Sequence, residues 1–430
     1  MQLILIELNE LNFQYAQKYF DSLKIETIKK IEKKIINTKS EDLYELLEPW
    51  IQWHSIHTGC TAKDHGIFRL GDAINTNKKQ IFEELEGINC KVGSISAMNS
   101  VNKLKKPSYF IPDPWTNTES DNTFFSKIIT SVLRDTVNNN ASGKFKIINY
   151  FFLILIFFKF VRFKKYSLFF KIFFKSFFGK WRKALFLDLL INEIHLNLLK
   201  KNNPNFSCVF FNAGAHIQHH YLLNSLHNNH NPKNPENILK NNEDPFKEAL
   251  IIYNDILSEY LDDKKNIIVA TGLTQEIVKK PQFYYRLINH ERFLSSLNLV
   301  YLRVETRMSR DFSIYFSDNK DRDKSFQILK RIYLNGKSLF GVLDLKDKSI
   351  FVTLTYDKEI LENDTIVLEN KDMNIFKEVV FVALKNGQHN GRGFLFAQGE
   401  IEKSFKDLKS IRIIEIKDKI KNFFLNKIDE

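Results

Sequence analysis

The sequence is poor in the residues and motifs that define several protein classes. Nine prolines and 15 glycines in 430 residues exclude collagen-like and Pro/Gly-rich low-complexity chains. The three cysteines, Cys60, Cys90 and Cys208, have no CxxC spacing, so we expect a reduced, cytoplasmic protein without a disulfide framework. No GxSxG, P-loop or GxGxxG motif occurs, and the N-terminus lacks the pattern of a secretory signal.

Acidic residues are missing from one long segment. There is no Asp or Glu between Thr136 and Leu187, whereas the same stretch holds 11 of the 63 basic residues. The rest of the chain is nearly neutral, with 52 basic and 51 acidic residues, although the net charge of the whole is +12. The charge distribution is therefore not that of a uniformly basic nucleic-acid binder, and we expect no nucleic-acid partner.

The acid-free segment is also rich in phenylalanine, with 13 Phe from Phe145 to Phe178. Its apolar run Tyr150–Phe158 is nine residues long, against about 20 for a membrane-spanning helix. From Phe163 onward a helical wheel separates a basic side from an aromatic side. The basic side holds Lys164, Lys171, Lys175 and Arg182, and the aromatic side holds Phe163, Phe170, Phe173, Phe174, Phe177 and Trp181.

Three interpretations of this segment stay open. In the first, residues 145–183 lie in an anionic membrane interface, which makes the protein cytoplasmic with peripheral membrane association. In the second, the Phe side packs on the protein core and the lysines face solvent. The third and weakest is nucleic-acid binding, because no RNA- or DNA-binding motif accompanies the charge.

Short apolar runs separated by helical patterns predict an α/β fold with a buried, largely parallel sheet covered by helices. The clearest runs are Leu3–Leu8, Ser207–Asn212 and Asn266–Ala270. A polar cluster follows each of them: Asn9-Glu10, residues 212–220 and residues 271–275. Ligands bind at the carboxyl edge of such sheets, so we expect the functional site there.

The segment boundaries follow from the same pattern. We expect one domain whose N-terminal part is residues 1–135 and whose C-terminal part is residues 188–430. The basic, Phe-rich helical insertion, residues 136–187, separates the two parts.

Histidines mark the candidate metal ligands. His216, His219 and His220 stand at i, i+3 and i+4 after a buried strand, and neutral imidazole is a common ligand of zinc. His389 lies in Gly387-Gln-His-Asn-Gly-Arg-Gly393, where Arg392 is placed to clamp an anion. Packing or a tight turn is the alternative explanation for each. The aromatic stretch Trp50–Gly71, with His54, His57 and His65, is predicted to be a helix packed under the sheet edge. A metal role for His54 or His57, which are three residues apart and can share a helical face, is the alternative.

Four blocks occur in a fixed order along the chain. They are Ser55-Ile-His-Thr-Gly59 with His65-Gly66-Ile67, then Ile217-Gln-His219, then Asp244-Pro245 with Asp255, then Gly387 to Ala397. Together they resemble the alkaline phosphatase superfamily, most closely its type I phosphodiesterase/nucleotide pyrophosphatase branch. The resemblance implies an alkaline-phosphatase-like central, mostly parallel sheet flanked by helices.

The resemblance also implies a metal site. In that family two divalent cations, usually zinc, flank a Thr or Ser nucleophile, and phosphate or sulfate esters are cleaved. By position, His219 and His389 match two ligands of one cation. The acidic ligand of that cation matches Ala215, which cannot coordinate, so Asn212 and His216 are the candidates to replace it.

Other positions depart from the family pattern. The aspartate of the second cation site matches Asn9, which is thereby a candidate metal ligand, with Glu7 and Glu10 nearby. An Asp-His pair matches Thr271-Gly272. The nucleophile falls within residues 49–52, which carry no hydroxyl. A two-cation clamp needs carboxylates to hold both ions, so we expect one divalent cation, zinc or manganese, or none.

The expected function is metal-dependent hydrolysis of a phosphate or sulfate ester, with a lipid or a glycan as candidate carrier. With one cation, water is the nucleophile, and Glu10 or Glu48 is the candidate base. Arg392 or Arg69 is the candidate group for holding the anionic ester. The alternative function is that of a catalytically inactive relative that binds such a ligand or a partner.

Overall fold

The computed structural model describes residues 1–138, 146–228, 233–236, 238–262, 265–306, 310–368 and 371–428. They form two compact units. The first contains Met1–Ile277 and Gly387–Glu430, and the second contains Val278–Asn386. The sequence pattern predicts a single domain, with residues 278–386 in its C-terminal part.

Strands are numbered here in chain order: β1 Leu3–Leu8, β2 Ile36–Lys39, β3 Val92–Ile95, β4 Tyr109–Ile111, β5 Phe206–Phe211, β6 Asn266–Ala270, β7 Thr274–Leu287, β8 Arg303–Thr306, β9 Asp311–Tyr315, β10 Tyr333–Leu334, β11 Lys337–Ser338, β12 Phe340–Lys346, β13 Ser349–Leu354, β14 Thr365–Leu368, β15 Lys371–Asn374, β16 Val379–Asn390, β17 Arg392–Gln398 and β18 Ser410–Arg412.

Helices are numbered in the same way: α1 Phe13–Ala16, α2 Glu26–Glu32, α3 Pro49–Thr58, α4 Ala62–His65, α5 Ile81–Gly87, α6 Phe124–Asn138, α7 Ile147–Phe160, α8 Tyr166–Ser176, α9 Arg182–Asn202, α10 Ala213–Tyr221, α11 Pro245–Ser258, α12 His290–Ser296, α13 Asn319–Lys330 and α14 Ile416–Ile428.

Eight strands of the first unit form one sheet, in the order β18-β2-β17-β6-β1-β5-β3-β4. Neighbouring strands run parallel except at β17, which is antiparallel to both β2 and β6. Helices cover both faces of the sheet. The predicted α/β fold, with a mostly parallel central sheet flanked by helices, is confirmed.

The central strand β1 shows why the sheet strands are apolar throughout. Its side chains alternate between the two faces, so that Ile4 and Ile6 pack in one apolar cluster while Leu3 and Leu5 pack in the other. A strand covered on both faces buries every side chain, and all six residues of β1 are buried. Glu7 is the one charged residue in this strand, and it is fully buried.

The second unit has its own antiparallel sheet, in the order β12-β13-β9-β8. An apolar cluster that includes Phe293, Phe312 and Phe340 forms its core. The α/β pattern predicted for the whole chain therefore applies to the first unit.

Within the described residues, the predicted basic insertion comprises the end of α6, then α7, α8 and the beginning of α9. In the part of the chain that the structure describes, no helix has the length and apolarity required to cross a bilayer.

The buried histidine of α9 makes the fold sensitive to acid. His195 lies between the Tyr260 hydroxyl and the Ser207 hydroxyl, each 2.7 Å from one ring nitrogen. Burial lowers the pKa of His195 from 6.5 to about 3. Between these two pH values the unfolded chain binds a proton at this residue that the folded chain does not, so this residue costs stability as the pH falls.

We predict that His195→Gln reduces the acid dependence of stability. Below pH 6, the free energy of unfolding of the variant should fall less steeply with decreasing pH than that of the wild type. The slopes of unfolding free energy against pH should differ between the two proteins by nearly one bound proton, or about 1.4 kcal/mol per pH unit. Chemical denaturation at several pH values measures both slopes, and equal slopes would show that His195 is not held neutral.

Candidate metal centre

The candidate site lies where three adjacent strands of the sheet end. The backbone N–H of Asn9, after β1, donates to the carbonyl of Phe211 at 3.0 Å, and that of Glu10 donates to Thr271 at 3.1 Å. The polar residues after β1, β5 and β6 are thus neighbours at one sheet edge, as expected for a ligand site in a parallel sheet.

Three charged or titratable side chains converge at this edge. The Nε2 atom of His219 lies 3.0 Å from Oε2 of Glu10, and the Nε2 atom of His389 lies 3.4 Å from the same oxygen. The Glu10 side chain is 1% exposed, whereas those of His219 and His389 are 30% and 16% exposed. The buried carboxylate is therefore overlain by two imidazoles that solvent can reach.

The backbone of Glu10 is held in an unusual conformation. Its φ is +57°, in the left-handed region that non-glycine residues rarely adopt. The Gln218 side chain donates to the Glu10 carbonyl at 2.9 Å and accepts from the N–H of Asn12 at 3.1 Å. Such strain costs on the order of 1 kcal/mol and persists where surrounding contacts enforce it, often at functional sites. Here the tight turn aims the Glu10 carboxylate at the two histidines.

The electrostatics keep Glu10 ionised. Burial raises the pKa of Glu10, but the charges and hydrogen bonds of His219 and His389 outweigh this effect and bring the pKa well below its usual range. The Gln275 side-chain N–H donates to Oε2 of Glu10, and that of Asn9 donates to Oε1 at 3.2 Å. The carboxylate is thus a fixed negative charge.

Glu48 lies on the other side of His389. Its Oε2 atom is 3.7 Å from Nδ1 of His389, and its side chain is 36% exposed. Glu48 is also the residue that caps the N-terminus of α3. The His389 ring therefore stands between two carboxylates, with Glu10 on the side of Nε2 and Glu48 on the side of Nδ1.

The two asparagines predicted as ligands have other partners. The side-chain oxygen of Asn9 accepts from the Trp53 indole at 2.8 Å, and its NH2 donates to the side-chain oxygen of Asn212 at 2.8 Å. Both oxygens thus accept N–H donors. These hydrogen bonds hold the Asn9 side chain where its NH2 group can also donate to the Glu10 carboxylate.

His216 and His220 lie outside the converging group. Their rings contact each other, with centroids 4.8 Å apart. Burial lowers the pKa of His216 to about 4, and it lowers that of His220 well below 6.5. Of the three histidines of α10, His219 alone points to Glu10. Within the described residues, His216 belongs to neither group of converging ligand side chains, so its role as a metal ligand stays a prediction.

Arg392 is exposed, and its Nε atom donates to the side-chain oxygen of Asn37 at 2.8 Å. Its role in holding an anion stays a prediction. In the aromatic stretch, His54 bonds to the Asn99 carbonyl and to Thr76, and His65 bonds to Ser55. These contacts are those of a helix packed at the sheet edge.

A second group lies inside the protein. Glu7, His57 and Cys208 bring ligand atoms within 4.8 Å of one another, and all three are buried. Nε2 of His57 lies 2.6 Å from Oε1 of Glu7. Burial raises the pKa of the Cys208 thiol, and the nearby Glu7 raises it further. The signal in the sequence is a glutamate within an otherwise apolar strand, since a buried carboxylate needs a partner.

The glutamines that hold the site are the residues that the sequence pattern did not identify. Gln218 supports the Glu10 backbone, and Gln275 donates to the Glu10 carboxylate and to the Ala215 carbonyl. Both are buried. A buried amide in a polar cluster after a strand is the signal that marks them, because such a group needs hydrogen-bond partners.

The chain matches no protein-family model, and no curated protein matches it by sequence. Solved structures do match. Murine ectonucleotide pyrophosphatase/phosphodiesterase 5 is 10% identical with a TM-score of 0.46, over 99% of this chain and 95% of that one. Phosphonoacetate hydrolase from Sinorhizobium meliloti, in complex with phosphonoformate, is 12% identical with a TM-score of 0.43, over 98% and 95%. These values carry no argument about activity, so the site's chemistry is argued from its own side chains.

A substitution at Gly387 tests the packing around the Gln275 side chain. A Cβ added at Gly387 would collide with Oε1 of Gln275 and lie 2.9 Å from the Gln218 carbonyl. We predict that Gly387→Ala lowers the free energy of unfolding by about 1–3 kcal/mol, because the glutamine that donates to Glu10 must move.

Gly87→Ala is the matched control for chemical denaturation. No atom lies within 4 Å of a Cβ added at Gly87, so this variant should lose no stability. Equal stabilities of the Gly387→Ala variant and the wild type would contradict the tight contact at Gln275.

Proposed function

We propose that the chain is a hydrolase that uses one divalent cation, zinc or manganese, to cleave a phosphate or sulfate ester. The observation that carries the proposal is the convergence of His219 and His389 Nε2 on one oxygen of Glu10. Two imidazoles and one carboxylate form the donor set of catalytic zinc sites and of other sites with open coordination positions.

The charge and exposure of these groups suit a cation. Glu10 supplies a buried negative charge, and the partial exposure of both imidazoles leaves a path from solvent. Hydrogen bonds from Asn9 and Gln275 hold the carboxylate, and the Glu48 carboxylate lies 3.7 Å from Nδ1 of His389. Such outer partners commonly orient metal ligands. Glu10 was expected from the sequence as a base, and the geometry favours the role of ligand instead.

The residues around the cation would then perform the hydrolysis. A divalent cation supplies Lewis-acid polarisation of the ester and lowers the pKa of water. Glu48 is the base that this geometry favours, because its carboxylate is partly exposed and lies beside His389. It would accept a proton from the attacking water. The exposed Arg392 guanidinium would hold the anionic ester, with lipid or glycan as candidate carriers.

The substrate class rests on the four sequence blocks that resemble the alkaline phosphatase superfamily. A two-cation mechanism is not proposed for this chain, because Thr271-Gly272 and Ala215 stand where acidic or histidine ligands are needed.

One feature favours a second function, that of a catalytically inactive binder. The N-terminus of α3, where the resemblance places the nucleophile, is Pro49-Trp-Ile-Gln52 and carries no hydroxyl. A relative that lost covalent catalysis could still bind an anionic ester through the cation.

We predict one tightly bound zinc or manganese ion per chain. His219→Ala and His389→Ala should each weaken binding by at least about 100-fold, because each removes one of three ligands and outer partners alone are worth 10- to 100-fold. Isothermal titration of the metal-free proteins, with elemental analysis of the loaded ones, gives affinity and stoichiometry.

His216→Ala is the matched control, since it removes an imidazole of the same helix that lies outside the group. It should keep the wild-type affinity. Wild-type affinity in a folded His219→Ala, His389→Ala double variant would contradict the proposed ligand set.

We predict that Glu48→Gln lowers kcat for a generic aryl phosphate, phosphodiester or sulfate by 10²- to 10⁴-fold, because the variant cannot accept a proton. Its metal content should stay at the wild-type level, since Glu48 is not a ligand. Steady-state kinetics of the metal-loaded proteins measure the change. An unchanged kcat would exclude Glu48 as the base, and an inert wild type that binds metal would favour the binding function.

A further inference from the structure

The outer side of α7 is apolar. Ile147, Phe151, Ile154, Leu155 and Phe158 repeat at the spacing of one helical stripe, and all are exposed. Phe151 and Phe158 are each 64% exposed. A helix on a protein surface ordinarily turns its apolar stripe to the core, so the direction of this stripe requires a partner outside the described residues.

The next helix repeats the pattern. On α8, Phe170, Phe173, Phe174 and Phe177 stand at i, i+3, i+4 and i+7, counting the residue just after the helix, and all are exposed. Phe163 before the helix and Phe178 after it are 85% and 86% exposed. These six phenylalanines and the α7 stripe together form the aromatic face.

The opposite side of both helices is anchored to the first unit. Ile156, Phe160, Phe169 and Ile172 are buried in its apolar cluster. Lys165 forms ion pairs with Asp255 and Glu259, and Arg162 forms ion pairs with Glu193 and Glu259. The aromatic face is therefore presented by a packed scaffold.

The structure corrects two residues of the predicted helical wheel. Trp181 and Arg182 do not continue α8, because α8 ends at Ser176 and α9 begins at Arg182. Both are buried, and both donate hydrogen bonds to Glu248. They belong to the anchored side.

Exposed lysines accompany the aromatic face. Seven lysines of this segment are exposed within the described residues: Lys146, Lys159, Lys164, Lys171, Lys175, Lys180 and Lys183. The segment contains no acidic residue from position 136 to position 187. Its partner should therefore combine an apolar layer with negative charge.

A second copy of this chain does not meet that requirement. A two-fold interface would place the same patch against itself, so lysines would face lysines without an acidic residue from this segment between them. Like charges across an interface cost several kcal/mol. An anionic bilayer surface meets both requirements, because Phe enters the boundary of the acyl chains while Lys contacts the headgroups.

We propose that the aromatic face of α7 and α8 binds the surface of an anionic membrane. The helices lie in the interface and do not cross it, since their 14 and 11 residues correspond to about 21 and 17 Å against a hydrocarbon core of about 30 Å. This proposal is independent of the hydrolase site, and its test requires no activity.

Flotation of the full-length protein with vesicles tests the proposal. With vesicles of phosphatidylcholine and 30% phosphatidylserine in about 0.1 M salt, the wild type should float, and with phosphatidylcholine alone its bound fraction should fall severalfold. The pair Phe158→Asp, Phe174→Asp should lower the partition coefficient at least about tenfold, because it places charge in the apolar layer. Lys171→Glu, Lys175→Glu should do the same through electrostatics.

Leu302→Asp together with Leu361→Asp is the matched control. Both leucines are similarly exposed, at 68% and 59%, but they lie in the second unit. This variant should float like the wild type. Folding of every variant is verified by thermal denaturation before flotation.

Three results would overturn the proposal. The first is a wild type that does not float with anionic vesicles. The second is flotation that is equal in the wild type and in both folded variant pairs. The third is a lipid-free wild-type dimer that the Phe variants convert to a monomer without any vesicle binding, which would assign the aromatic face to a second copy.

Discussion

The ionised carboxylate of Glu10 is the constraint on which the candidate site depends. A buried carboxylate is costly unless positive charge and hydrogen bonds compensate it. Here His219 and His389 supply the charge, while Asn9 and Gln275 supply donors. Gln218 supports the left-handed turn at Glu10 through the Glu10 carbonyl, and the absence of a side chain at Gly387 leaves room for Gln275.

Charge is divided between two features with separate roles. The site gathers carboxylates around two histidines, whereas the acid-free segment gathers lysines around exposed phenylalanines. The net charge of +12 comes almost entirely from that segment, and three of its basic residues, Arg162, Lys165 and Arg182, pair with glutamates or an aspartate of the first unit. Seven further lysines of the segment are exposed within the described residues. The proposed membrane contact and the proposed hydrolysis therefore depend on different side chains and can be tested independently.

The sequence predicts the sheet well, because strands buried on both faces must be apolar throughout, and it places the site at the edge where those strands end. His219 and His389 follow from the resemblance of their blocks. The role of Glu10 does not, because only the chain path after β1 brings its side chain under both imidazoles. The sequence also does not show whether the Phe stripe faces the core or solvent, because helical periodicity separates two faces of a helix without identifying the buried one. Trp181 was misplaced because α8 ends five residues before it.

The most direct test of the proposed centre is X-ray absorption at the zinc edge on the zinc-loaded protein. The account predicts two imidazole nitrogens at about 2.0–2.1 Å, oxygen for the other ligands and no sulfur. A sulfur shell at about 2.3 Å would contradict it and would place the metal at Glu7, His57 and Cys208.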